Sequence, residues 1–404
     1  MQKNDPFSFL NFDLKVQPPI KTNSVKNYDP AVIAEDAKST HIVTHARFPR
    51  LVESFLAHKR HHGSQYEKEI YGTSTQDFSW QDEVARLVAK RPLTFMGSND
   101  YTVLRDGSFH ECNYADEWDR NGTEKQHLNQ ALTLKEYLSY DEIMLGSLLG
   151  VSGPSHFINN GNRYNMGQPG AKGSFEPRGI IIGLVGARFE RVDRMDSELM
   201  LPMIGSAQMH PELSKAFQDF FGATKTEAPE FNIEMYKARI RTTIDILLLE
   251  ANERAMQAGR TAYTYVVGLG LGVWQCNTDQ PEEYVDTFTS ALNQMKLPHI
   301  STIEFAYIKV PEACQQRVRS EAEKQGIKVL FSKRNPAEKL ETDELLVLSY
   351  AWDGNAFPGN EYWRGSLSGS GDPAAACMST IGELHNPLVN PGFVKRINVL
   401  KPEA

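Results

Sequence analysis

An α/β fold, a sheet covered by helices on both faces, is predicted by three observations. Strands and helices alternate through TAYTYVV, PEEYVDTFTSALNQMK, STIEFAYI, ACQQRVRSEAEKQG, IKVLFS and ELLVLSY. GIIIGLVGARFE contains a fully apolar run suited to a central strand. From Asn232 to Ala258, the residues Tyr236, Ile240, Ile244, Leu247, Ala251 and Ala255 recur at helical spacing, and Gly259 stops the pattern.

Residues 1 to about 40 are polar and turn-rich (PPIKTNS, NYDPA) and read as an arm. Ala46 to Lys90 is mostly helical and charged. Its HKRHHG segment (His58, His61, His62) reads as a solvated basic helix end, because no acid or cysteine stands beside it in the sequence. From Leu93 the chain alternates and turns like strands, with Asp106–Gly107 as a hairpin signal. LTLKEYLSYDEIMLGSLLG is expected to be a helix with Leu134, Leu138, Ile143 and Leu145 on one side. SGPSHFINNGNRYNMGQPGAKG then reads as a loop. The helix after TAYTYVVGLGLGVW opens with Pro281 and two acids, and Val285, Phe288, Leu292 and Met295 line its buried face.

Bulk properties narrow the functional class. With 404 residues, 40% hydrophobic and 23% charged, the chain can bury a substantial core. A net charge of −8 gives no basic footprint, so nucleic acid is not an expected partner. Cys112, Cys276, Cys314 and Cys377 lie far apart without a CxxC pair, which reads as reduced thiols in a cytosol rather than a disulfide framework or zinc site. The N-terminus lacks the apolar segment of a signal peptide, and the greasiest run, Ile244 to Leu249, is too short to span a bilayer. A soluble cytosolic protein is expected.

Three stretches carry chemistry. VVGLGLGVW spaces Gly268, Gly270 and Gly272 two apart after a strand, which suits close approach of backbone N–H groups to a diphosphate; a tight turn needs the same glycines. In HFINNGNRYNMGQPGAKG, the amides of Asn159, Asn160 and Asn162 suit ribose hydroxyls, although asparagine also simply tolerates turns. Arg163 fits a phosphate or a surface acid. In SYAWDGNAFPGNEYW, the acids Asp353 and Glu361 and the amides Asn355 and Asn360 sit among large rings where a buried strand ends. A connecting loop needs none of these.

Together, INN before a glycine-rich loop and VVGLGLGVW between strand and helix resemble the two ligand loops of macrodomains. YDEIMLGSLLGVSGPSHFINNGN, GLVGARFE, YAWDGNAFPGNEYW and GSGDPAAACMSTIGELHNP resemble, more narrowly, the divergent macrodomains of the MavL group, which includes a Legionella effector. That group removes ADP-ribose from arginine side chains, including arginine of ubiquitin. The resemblance implies a three-layer α/β/α macrodomain-like sandwich with a mixed sheet over residues 93–404, after a mainly helical extension over 1–92. It implies an ADP-ribosylated protein substrate, with ubiquitin among the candidates, and, for an effector, secretion into a host cytosol. It places Asn159, Asn160, Asn162, Arg163, Gly268, Gly270, Gly272, Val273, Trp274, Phe305, Gly369 and Gly371 around ADP-ribose.

The sequence departs from simple macrodomains in its INNGN loop, its long GQPGAKGSFEPRG insertion and the whole 349–363 motif. Breaking a C1″–guanidine bond passes through an oxocarbenium-like centre, so carboxylates are what an ADP-ribose site must add to become a hydrolase. Asp353 and Glu361 are the expected catalytic acids, and Asn355 and Asn360 the amides that position water or hydroxyls. Trp352, Phe357 and Trp363 are expected as apolar walls that exclude water. Asp372 reads as a helix cap before Pro373, and Asp141 and Glu142 are reserve acids or surface pairs. No metal or cofactor is expected, since no cluster shows transition-metal spacing. Two rivals use the same loops: an ADP-ribose-binding module without catalysis, and another nucleotide-dependent α/β enzyme. Against the latter, the chain has neither GxGxxG with an acid about twenty residues on nor a Walker A motif.

Overall fold

The computed structural model describes residues 5–72, 78–96, 101–111, 115–201, 208–226, 230–369 and 371–402; Cys112 lies outside them. The strands, in chain order, are β1 (His41–His45), β2 (Thr94–Phe95), β3 (Tyr101–Val103), β4 (Phe109–Glu111), β5 (Gly150–His156), β6 (Arg178–Leu184), β7 (Ala262–Val266), β8 (Ile300–Ala306), β9 (Lys328–Ser332), β10 (Leu345–Ala351) and β11 (Ile397–Leu400). Eight form one sheet in the order β11-β1-β5-β6-β10-β7-β8-β9, and β2, β3 and β4 form a small one. The large sheet is mixed. β5 runs antiparallel to both β1 and β6, whereas β6, β10, β7, β8 and β9 are mutually parallel.

Helices cover both faces, as two adjacent residues of β5 reveal. Consecutive side chains on a strand point to opposite faces. Ser152 donates to Glu250 of the long helix Ile233–Gln257 at 2.7 Å. A Cβ on the next residue, Gly153, would lie 3.3 Å from the Nε2 of His385, which follows the short helix Ile381–Leu384. The predicted alternation therefore stands as a helix-covered α/β sheet. Asn232 caps the long helix by accepting from the Met235 N–H at 3.0 Å, and no helix among the described residues is long and apolar enough to cross a membrane.

Four expectations need correction. LTLKEYLSYDEIMLGSLLG is helical only over Tyr140–Gly146, because a capping box between Ser139 and Glu142 starts the helix there. SGPSHF is not loop: Gly150–His156 is β5. Its Pro154 is tolerated because β1 pairs only as far as Ser152, leaving the proline no neighbour on that side to serve. The division at residues 92/93 does not separate two bodies, since β1 lies between β11 and β5 and one apolar core runs from Ile42 to Leu400. The histidine-rich end of helix Phe48–His62 does have an acid beside it, Glu212, brought by helix Pro211–Phe221. Cys276 is exposed, Cys314 and Cys377 are buried, and these three are free thiols.

Candidate active site

Parallel strands leave their carboxyl ends on one edge of the sheet, and open α/β sheets bind ligands there. Here β6, β10 and β7 are neighbours, so the segments after Leu184, Ala351 and Val266 emerge side by side. Those segments are GARFE, WDGNAFPGNEYW and the glycine loop 267–274.

The 352–363 stretch is held from below and from the side. Trp352 donates its backbone N–H to Leu184 and its indole N–H to Ala356 O at 3.0 Å, and it is fully buried. The Arg91 guanidinium lies 4.2 Å above the Trp352 ring. Phe357 and Trp363 are also buried, so the three rings brace the loop from the core rather than lining an open wall. Asn360 takes a left-handed conformation (φ 30°) and is bonded on several sides. Its carbonyl accepts from Thr94 at 2.9 Å and its Oδ1 from the Phe95 N–H at 2.9 Å, while its Nδ2 donates to Asp353 Oδ2. Strand β2 thereby fixes Asn360, and Asn360 fixes Asp353.

Asp353 is partly buried, and its Oδ1 accepts from the N–H groups of Asn355 (2.8 Å) and Ala356 (3.3 Å). Burial pushes its pKa up to about 7; Glu361 and Glu190 add to this, and Arg188 opposes it. Asp372 is buried inside the first turn of helix Gly371–Met378 and accepts from the Gly359 N–H at 2.6 Å. Burial first, then Asp353 and Glu361, raise its carboxyl well above the usual range. Burial raises Glu361 too. Asp353, Glu361 and Asp372 thus interact electrostatically as one cluster.

Arg188 and Glu190 join that cluster from the β6 segment. Arg188 is 0% exposed; its Nη2 donates to Asn355 Oδ1, while Nε and Nη1 have no hydrogen-bond partner. The Asn355 Nδ2 donates to Glu190 Oε1 at 3.2 Å. Trp274, at the end of the glycine loop, lies with its ring 5.3 Å from the Arg188 guanidinium. A buried guanidinium with unspent donors beside crowded carboxylates suits an anionic ligand that also carries a cationic reaction centre.

The two predicted ligand loops differ in how they reach this edge. Gly270 is left-handed (φ 75°), and a Cβ there would lie 2.8 Å from Ala187 O, so packing alone already demands glycine. Leu269 and Gly270 keep the loop against 186–187, and a Cβ on Gly268 would meet the Leu271 side chain at 3.1 Å, whereas Gly272 has nothing within 4 Å of its Cβ position, and Val273 is 91% exposed. β5 is antiparallel, so Asn159 leaves the sheet at the opposite edge. The Asn159 Oδ1 accepts from the Gly161 N–H, Asn160 Oδ1 from Asn162, and Asn162 Oδ1 from Tyr164, so the three amides organise their own loop. The loop travels back through Arg163, whose Nε donates to Gly369 O at 2.9 Å just before Gly371 and its helix.

Three expected residues fall elsewhere. Phe305 is fully buried between Phe288 and Phe331, too deep to touch a ligand. Glu142 is buried against Arg86 at 2.8 Å and Tyr71, and Asp141 pairs with Lys59 at 2.5 Å, so both reserve acids serve the packing of the N-terminal helices. Asp372 caps no helix and belongs to the carboxylate cluster. Arg91, Arg188 and Glu190 were not expected. GARFE gave a usable signal, since it sets charges immediately after an apolar strand as 349–363 does, but nothing in the chain order announces Arg91.

The site is thus a set of crowded acids and a buried arginine at the strand ends of a helix-covered mixed α/β sheet. The chain matches the family described as ADP-ribosylhydrolase MavL-like over residues 7–208 and 205–401, and it belongs to that family. It is similar to two Drosophila melanogaster proteins. ADP-ribosylarginine hydrolase CG3568 is 36% identical over 91% of this chain and 78% of its own length. ADP-ribosylarginine hydrolase CG2909 is 32% identical over 94% of this chain and 84% of its own length.

Proposed function

We propose that this ADP-ribosylhydrolase cleaves the C1″–N bond between ADP-ribose and an arginine side chain of a protein, within a macrodomain-like fold. The observation that carries this reading is the cluster of Asp353, Glu361 and Asp372 facing the buried Arg188. The printed names of the two relatives support arginine as the linkage residue. Ubiquitin, implied by the resemblance of the motifs, is one protein substrate to try.

In the reaction, the C1″–N bond breaks and its electron pair leaves with the arginine nitrogen, which takes up a proton and departs as guanidinium. Positive charge develops at C1″. Asp353, tied to Asn360 and to two backbone N–H groups, stands as the base that accepts a proton from water as the water oxygen bonds to C1″. Glu361 receives the departing guanidinium through charge-assisted bonds. Arg188 and the glycine loop hold the diphosphate, and Asn355 orients Arg188. Asn360 is a positioning residue. The step uses no metal or cofactor, so chelator-treated protein keeps its turnover; loss restored by magnesium would replace this chemistry with a metal-dependent one.

Incubation with arginine-ADP-ribosylated protein, reading released ADP-ribose, is the direct test. Asp353→Asn should lower turnover by on the order of 10²–10⁴, the usual share of a positioned acid or base. Calorimetric binding of ADP-ribose should persist in that variant. A folded Asp353→Asn protein with wild-type turnover would remove Asp353 from the chemistry, and wild type that binds ADP-ribose without releasing it would leave a binding module.

A further inference from the structure

We propose that His58, His62 and Glu212 form a binding site for a divalent transition-metal ion of the zinc class, which clamps helix Phe48–His62 to helix Pro211–Phe221. His58 and His62 stand four residues apart, one turn along the same helix face. Glu212, in the first turn of the other helix, puts Oε2 2.9 Å from His62 Nε2 and 3.8 Å from His58 Nδ1. One ligand atom from each residue lies within 4.8 Å of the others. A tetrahedral ion with bonds of about 2.0–2.1 Å spaces its ligand atoms about 3.3 Å apart, between the two measured separations.

A His62–Glu212 ion pair alone leaves His58 unexplained. The Nδ1 of His58 is buried without a hydrogen-bond partner, an arrangement that costs free energy unless something occupies that lone pair. The nearby cation does not stand against an ion, since Lys59 is paired with both Glu67 and Asp141.

His210 closes the site without joining it. Its ring lies 4.7 Å from that of His58 and 4.6 Å from that of His62. Its Nδ1 accepts from the Glu212 N–H at 3.3 Å, which leaves the proton on Nε2 and no lone pair there for a metal. Three protein ligands then leave one position for water. The other gathering of ligand types among the described residues, Glu282, Asp286 and Cys314, has its acids taken by Arg317 at 2.9 and 2.6 Å.

The test uses the whole chain, stripped with chelator, dialysed and titrated with zinc chloride by calorimetry and by thermal unfolding. One equivalent should bind, and the unfolding midpoint should rise and saturate at that same equivalent. His62→Ala and Glu212→Gln change exposed side chains, so the metal-free midpoint should hold while affinity falls by about tenfold or more. His61→Ala removes the neighbouring ring outside the set and should bind zinc as wild type does. Absence of one-equivalent binding in wild type overturns the proposal. So does unchanged affinity in His62→Ala, or an equal loss in His61→Ala.

Discussion

Asp353 and Asp372 are acids whose burial holds them protonated well above the ordinary carboxylate range, and this fixes the sign of a pH effect. Between the unfolded pKa near 4 and the folded value of about 7, the native state carries a proton at Asp353 that the unfolded chain has lost. Stability therefore falls as pH rises through that window. Asp353→Asn carries no such proton, so its unfolding midpoint should change less than that of wild type between pH 4.5 and 7.5. If the base is the deprotonated carboxylate, wild-type kcat/KM should also rise through about pH 7, with an apparent pKa that belongs to the carboxylate cluster. An equally steep stability profile in the variant would show that Asp353 is not the group that titrates. Asp353 and Glu361 stood out in the sequence because a connecting loop at a strand end needs neither acids nor large rings. Phe305 was misread for the opposite reason: its place on a strand was clear, but nearly every residue of ISTIEFA is buried, its Thr302 and Glu304 included, so polarity along the strand does not tell which side chains could reach a ligand.

At the scale of elements, the glycine loop divides into positions fixed by packing and a position that faces open space. Gly270 needs its left-handed backbone and its contact with Ala187 simply to fold, so a bulky residue there tests nothing about ligand. Gly272 has open space in front of it. Gly272→Trp should leave the melting temperature near wild type and weaken ADP-ribose binding by steric exclusion, as calorimetry would measure. Wild-type affinity in a folded Gly272→Trp protein would move the diphosphate away from this loop. Gly270→Trp should instead lower the melting temperature. The loop was visible in the sequence as a glycine repeat after a strand. The division of labour within it was not, because it depends on residues 186 and 187, some eighty positions earlier.

At the scale of the molecule, the alternation of strands and helices from residue 232 to 351 was legible because each element is long, periodic and punctuated. The role of the N-terminus was not, because HIVTH is five residues long and its partners lie at 150–152 and 397–400. Those pairings make a truncation experiment decisive. A chain starting at residue 93 would lose β1 from between β11 and β5, and with it the buried side chains of Ile42, Val43, Phe48, Leu51, Val52, Phe55 and Leu56. At about 1.5–3 kcal/mol for each buried side chain, these seven alone match or exceed the stability of about 5–15 kcal/mol typical of a folded domain. The cut would also remove Arg91 from above Trp352, and Pro92, whose carbonyl accepts from the Phe357 N–H at 2.9 Å. The truncated chain should therefore be insoluble or lack a cooperative thermal transition, with no ADP-ribose binding. A 93–404 fragment that melts cooperatively and binds ADP-ribose would show that β11 and β5 can close the sheet without β1.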